Sequence, residues 1–148
     1  VKLNLGAGAH PLDGFENLDP TYDGWTFTDG LPFAPDATVE AITVSHALMM
    51  VPLPDWPDVF EEFARVLKPG GVIRITEDAT DDRRSSRYGG FHDAVTLTSR
   101  SLVRVHLEMV DLTVEDVAPG FSHFRDDSLI QQWHGAPPKV FAIEGLKL

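Results

Sequence analysis

An apolar run from Val1 to Leu5 breaks at Gly6-Ala7-Gly8, and a carboxylate, Asp19, follows the second glycine by 11 residues. Glycines at such a turn let a ligand approach the backbone, because no Cβ stands in the way. A dinucleotide would need a third glycine three residues on, an acid about 20 residues on and a helix N-terminus facing its pyrophosphate. Here the third position is Pro11, Asp19 comes too early, and Pro11 and Gly14 leave no proper helix between Gly8 and Phe15. NAD or FAD is therefore only a third reading of the loop. Further along, His46 closes another apolar run, and its near-neutral pKa suits a general base. The competing reading is a hydrogen-bonded structural histidine. Asp78 is the second candidate base, against a plain loop acid. His92 is a third histidine within a segment of irregular pattern, where an ordinary loop residue is the simpler reading.

Arg83, Arg84 and Arg87 form the single basic cluster of an acidic chain. They either recognise an anionic acceptor, a phosphate or carboxylate, or pair locally with Asp78, Asp81 and Asp82. His10, His46, His92, His106, His123 and His134 show no i,i+4 pair and have no cysteine partners, so no metal site is expected. The absence of cysteine from all 148 residues removes thiol nucleophiles, zinc fingers and disulfides. A net charge of −11 makes nucleic acid an unlikely partner, since that needs a basic footprint. No apolar run reaches the about 18–20 residues of a membrane helix, and the opening residues lack a signal-peptide pattern. A cytoplasmic protein with one domain over residues 1–148 is the expectation.

These residues need elements to position them. Short strands are predicted at Val1–Leu5, Phe15–Asp19 and Trp25–Thr28. Val39–Ser45 is nearly continuous in apolar residues, as in a strand buried on both faces. Asp55 reads as the N-cap of a helix whose Val59, Phe60, Phe63, Ala64, Val66 and Leu67 make one apolar stripe. Asp58, Glu61, Glu62 and Arg65 should face water, and Lys68-Pro69-Gly70-Gly71 should end the helix. Val72–Thr76 is the next strand. Thr98 reads as the cap of a helix reaching about Val110, with Leu102, Val103, Val105, His106 and Met109 inward. Leu112–Val117 and Lys139–Glu144 complete seven strands. The expected fold is α/β, a doubly wound, mostly parallel seven-stranded sheet with a short first helix. Ligands then sit outside the carboxyl ends of the strands. That singles out Gly6–Pro11, Asp19, Asp29, Ser45–His46 and Glu77–Asp78.

Leu3-Asn4-Leu5-Gly6-Ala7-Gly8, followed by Gly14-Phe15-Glu16-Asn17-Leu18-Asp19, resembles a class I S-adenosylmethionine-dependent methyltransferase. The likeness is to small, single-domain, type 11-like members whose first helix shrinks to a loop. Asp29-Gly30-Leu31-Pro32-Phe33-Ala34-Pro35-Asp36 is similar to the family's adenine-side segment, and Val39-Glu40-Ala41-Ile42 to its fourth strand. Phe63-Ala64-Arg65-Val66-Leu67-Lys68-Pro69-Gly70-Gly71 is the most specific match. The resemblance spans about residues 2–78. Three positions depart from the family: Ala7 replaces the usual cysteine, Met49-Met50 replaces a Glu-His pair, and Glu40 replaces a different late acid.

The resemblance implies S-adenosylmethionine as cofactor, held by Leu5, Gly6, Ala7, Gly8, Asp19, Asp29, Gly30, Leu31, Ser45 and His46. Asp19 would accept from both ribose hydroxyls, and backbone amides at the glycine turn would hold the amino-acid end. Methyl transfer is an in-line displacement that depends mainly on alignment. A base is needed only where the acceptor keeps its proton, and His46 or Asp78 would then be catalytic. The expected acceptor is an O or N atom of a small molecule, a sugar or a carrier-linked group. Residues 79–97 and 118–138 are the material large enough to bind it, and those loops or a second copy in a homo-oligomer would have to close the site. The rival reading is a non-catalytic S-adenosylmethionine-binding or degenerate partner subunit, which Met49-Met50 favours.

Overall fold

The computed structural model describes residues 1–8, 11–78, 95–96, 98–118 and 140–148, with Asp78 and Val140 at the level of the backbone. Among these residues six strands form one sheet: β1 (Lys2–Leu5), β2 (Glu16–Leu18), β3 (Val39–Ser45), β4 (Leu67–Asp78), β5 (Thr113–Val117) and β6 (Val140–Leu146). Their order is β2-β1-β3-β4-β6-β5. β2, β1, β3 and β4 are parallel, and β6 runs antiparallel to both β4 and β5. The helices are α1 (Pro20–Asp23), α2 (Trp56–Val66) and α3 (Arg100–Met109).

Alternation along the strands separates two faces. Leu3, Leu5, Ile42, Val44, Ile73, Ile75, Phe141 and Ile143 are fully or nearly fully buried in the main apolar core. α2 adds Trp56, Val59, Phe60, Phe63 and Val66, and α3 adds Val103 and Leu107. The other face carries a polar row in register across the whole sheet: Asn17, Asn4, Thr43, Arg74, Glu144 and Glu115. Asn4 Nδ2 donates to Asn17 Oδ1 at 2.8 Å, and Arg74 Nη1 lies 3.4 Å from Glu144 Oε1.

Several expectations are corrected. The segment expected to be a strand at Trp25–Thr28 is instead a turn leading into a short 3₁₀ helix, Phe27–Asp29. The Asp29 carboxylate accepts from Thr26 N–H at 2.8 Å and from its hydroxyl at 3.2 Å, while Trp25 Nε1 donates to Gly30 O at 2.8 Å. These local bonds close the chain on itself and leave it no strand partner. Asp55 is the N-cap of α2, but its side chain makes no capping bond. α3 is capped by Ser99 rather than Thr98, with Oγ accepting from Leu102 N–H at 3.2 Å. Its inward stripe runs through residues 102, 103, 106 and 107, which leaves Val105 and Met109 exposed.

Glu62 and Arg65 do not simply face water. Glu62 Oε1 accepts from Leu31 N–H at 2.9 Å, and Arg65 donates to Leu31 O, Ala34 O and Asp36. The hydrogen bond from Arg65 is the main reason the Glu62 carboxyl is held below its ordinary range. The pair fastens residues 31–36 to α2. Among the described residues no helix is long and apolar enough to cross a membrane.

Candidate cofactor cleft

Three parallel strands end at one edge, and the segments following them enclose a cleft of about 510 Å³. Gly6 and Gly8 come from the turn after β1, Asp19 and Pro20 from the end of β2, and His46 and Ala47 from the end of β3. Trp25, Thr26, Phe27 and Thr28 form a second wall, with Met50, Val51 and Pro52 completing the lining. β1 lies between β2 and β3, so the chain departs to opposite sides of it, and such a switch point opens a crevice.

The two glycines serve different ends. Gly6 has φ +71°, and a Cβ there would lie 2.5 Å from the Ala47 methyl, so the turn can pack against β3's exit only without a side chain. Gly8 has φ +53°, and a Cβ there would meet nothing within 4 Å. The amides of Gly6 and Ala7 both donate to Leu18 O, at 2.8 and 3.1 Å, which ties the turn to β2. They are engaged within the protein, so the approach to a ligand falls on the Gly8 side. Tyr22 Oη donates to Gly8 O.

Asp19 caps α1, and both of its bonds fall on Oδ2: Thr21 N–H at 3.0 Å and the Thr21 hydroxyl at 2.6 Å. Oδ1 is the oxygen left for a ligand hydroxyl. His46 has φ +53°, a left-handed backbone uncommon outside glycine. Its N–H donates to Thr76 O at 2.7 Å, which extends the β3–β4 ladder one step past the sheet.

Of the residues singled out from the sequence, Gly6, Gly8, Asp19 and His46 come together at the cleft. Leu5, Ala7, Leu31 and Ser45 are buried and do not line it. Asp29 and Gly30 line an adjoining groove that shares Phe27 and Thr28 with the cleft and also takes in Asp55, Asp58 and Glu62. Asp78 ends β4. His10, Arg83, Arg84, Arg87, His92, His123 and His134 lie outside the described residues. His106 is half-buried: its Nδ1 is 2.8 Å from Leu102 O, and its ring packs on Trp56 and Phe60. No metal-binding cluster occurs among the described residues.

The apolar side chain at Met50 lines the cleft, as the replacement of Glu-His by Met49-Met50 implies, whereas the aromatic wall is not among the lining expected from the sequence. Trp25 and Phe27 pack with ring centroids 4.9 Å apart, and the Phe27 ring lies 3.4 Å from the Cβ position of Gly6. The signal available was an aromatic pair shortly after a strand-end acid. Glu77, expected in the loop after a strand, lies within β4 and is fully buried.

The sheet order β2-β1-β3-β4-β6-β5, with β6 antiparallel to its neighbours, is a Rossmann-like fold shared with solved methyltransferases. Residues 24–75 match the family model described as a methyltransferase domain. The whole chain superposes on a methyltransferase from Archaeoglobus fulgidus dependent on S-adenosylmethionine, with a TM-score of 0.67 and 12% identity, covering 99% of this chain and 85% of the other. It is equally similar to the YcgJ protein from Bacillus subtilis, with a TM-score of 0.67 and 18% identity, covering 99% and 91%. Phosphoethanolamine N-methyltransferase 2 from Haemonchus contortus, solved with S-adenosyl-L-methionine, superposes with a TM-score of 0.62 and 13% identity, covering 99% and 48%. No curated protein matches the chain in sequence. The chain thus has the fold of these methyltransferases, and residues 24–75 match the methyltransferase-domain model.

Proposed function

We propose that the cleft binds S-adenosylmethionine and that the protein transfers its methyl group to an O or N atom of a small-molecule, sugar or carrier-linked acceptor. The observation that carries this reading is the convergence of Gly8, Asp19, the Trp25–Phe27 wall and His46 on one cleft at the ends of β1, β2 and β3. The residues fit that ligand. Open space in front of Gly8 accommodates the amino-acid tail, Asp19 Oδ1 accepts from ribose hydroxyls, and the aromatic wall receives a flat base. The bound cofactor supplies an electrophilic methyl on a sulfonium cation, which suits a chain of net charge −11.

The protein's own part is alignment. Holding acceptor and donor in line can supply about 7–11 kcal/mol of the barrier. His46 is the first candidate to take the proton of a hydroxyl acceptor; both its ring nitrogens are buried, so its ring would have to turn toward the cleft to do so. Asp78, at the end of β4, is the second candidate for that role. Arg83, Arg84 and Arg87 would serve an anionic acceptor. Met50 favours a second reading, a cofactor-binding subunit without turnover, because it puts an exposed apolar side chain on the cleft.

The separating experiment is release of S-adenosylhomocysteine across a panel of acceptors. His46→Ala should cut turnover by about 10²–10⁴-fold with cofactor affinity nearly unchanged. Full activity of that variant would mean catalysis by alignment alone. No turnover by wild-type protein on any acceptor would favour the binding subunit.

A further inference from the structure

We infer that Glu77 is the positioning residue of the cleft, fixing through its buried carboxylate the turn that carries His46 and against which the glycine loop leans. This rests on the reading of the cleft as the cofactor site. The β3–β4 ladder ends at Ser45 opposite Thr76. Beyond it the chain must leave the sheet, and His46 turns it with a left-handed backbone. Three consecutive amides then face the end of β4. His46 N–H donates to Thr76 O at 2.7 Å. Ala47 N–H and Leu48 N–H donate to the same oxygen, Glu77 Oε1, at 2.9 and 2.7 Å. One backbone carbonyl and one carboxylate oxygen therefore do for this turn what a further pair of strand residues would do for a straight one.

Alternation explains how an acid reaches that place. Ile73, Ile75 and Glu77 share the core face of β4, so the side chain points under the turn rather than into water. A fully buried carboxylate is costly unless its oxygens are engaged, and bonds from N–H groups to a charged acceptor are among the stronger ones. Consequences reach the cleft by direct contact. Ala47 is the residue whose methyl stands 2.5 Å from the Cβ position of Gly6, so the place of Ala47 sets how close the Gly6–Gly8 turn comes to β3. The same turn continues into Met50, Val51 and Pro52, which line the cleft together with Trp25 and Phe27. Glu77 itself does not line the cleft, so it acts through these neighbours.

The experiment compares Glu77→Ala and Glu77→Gln with the wild type. Hydrogen exchange is read first, without cofactor. In Glu77→Ala the amides of Ala47 and Leu48 should exchange at least about tenfold faster, while Ile42 and Val44 keep their protection. In Glu77→Gln they should stay within about threefold of wild type, because the amide oxygen can also accept both bonds. Calorimetry with S-adenosylmethionine follows. Glu77→Ala should bind at least about tenfold more weakly and Glu77→Gln within about threefold of wild type. Should Glu77→Ala fail to fold, Glu77→Asp takes its place, with a carboxylate one methylene too short and the same two losses expected. Unchanged exchange at Ala47 and Leu48 in a folded variant overturns the proposal. So does faster exchange with wild-type affinity, since the turn would then not govern the cleft. Failure of wild-type protein to bind the cofactor would sink the cofactor reading instead, and the exchange comparison would still decide what Glu77 holds.

Discussion

Strands β2, β1, β3 and β4 run the same way, so the segments after them gather at one edge, whereas β6 runs against both of its neighbours and its ends are divided from theirs. Polar groups are used differently in the two regions. At the edge of the parallel strands, Asp19 and His46 line a cleft. Around β6 and β5 the charges close on one another: Arg74 pairs with Glu144 at 3.4 Å, and Arg100 and Arg104 both reach Asp116 at 3.1 Å. Among the described residues, those lining the cleft come from the parallel region, while these ion pairs tie β6 to β4 and β5 to α3. Substitutions should therefore separate binding from stability according to region.

The largest expected effect is Gly8→Val. Its side chain would enter the space before the turn, so affinity for S-adenosylmethionine should fall by more than about 100-fold, or about 2.7 kcal/mol. The far-UV circular dichroism spectrum should stay native. Unchanged affinity in a folded variant would remove Gly8 from the site.

Arg74→Met tests the other region. Arg74 is almost wholly buried and Glu144 keeps partial exposure, so stability should drop toward the lower end of the about 3–5 kcal/mol seen when one partner of a buried pair is removed. Chemical denaturation would measure this. Cofactor affinity should not change, and a joint loss of both would erase the division between the regions.

Asp19→Ala should weaken the cofactor by about 2–4 kcal/mol, from two charge-assisted hydrogen bonds, and Asp19→Asn by less. A loss below about twofold would mean that the acid only caps α1.

The smallest effect concerns acid sensitivity. Because Arg65 holds the Glu62 carboxyl below its ordinary range, their pairing stabilises the fold above the unfolded carboxyl's pKa, near 4.3. That contribution disappears as pH falls through the lower folded value. Glu62→Gln should cost about 0.5–1 kcal/mol at neutral pH, and its melting temperature should converge on that of the wild type as pH approaches 3. A constant gap across pH would assign the loss to packing.

β3 was readable residue for residue at Val39–Ser45, since a near-continuous apolar run has only one way to be buried in a parallel sheet. The glycine turn and its acid were readable for the same kind of reason, being local chemistry at fixed spacing. The segment from Trp25 to Asp29 was not, because its β-type residues are overruled by one carboxylate closing on Thr26. The backbone amides that Glu62 and Glu77 bond lie about 30 residues away, at Leu31 and at Ala47 and Leu48. No local pattern encodes such pairings. They follow from the order of the strands.

The central claim is that the cleft at the ends of β1, β2 and β3 is built for S-adenosylmethionine. Isothermal titration of wild-type protein with S-adenosylmethionine, S-adenosylhomocysteine and NAD tests it most directly. The account predicts saturable binding of the first two at one site and none of NAD. Binding of NAD, or no heat with any of the three from folded protein, would contradict it.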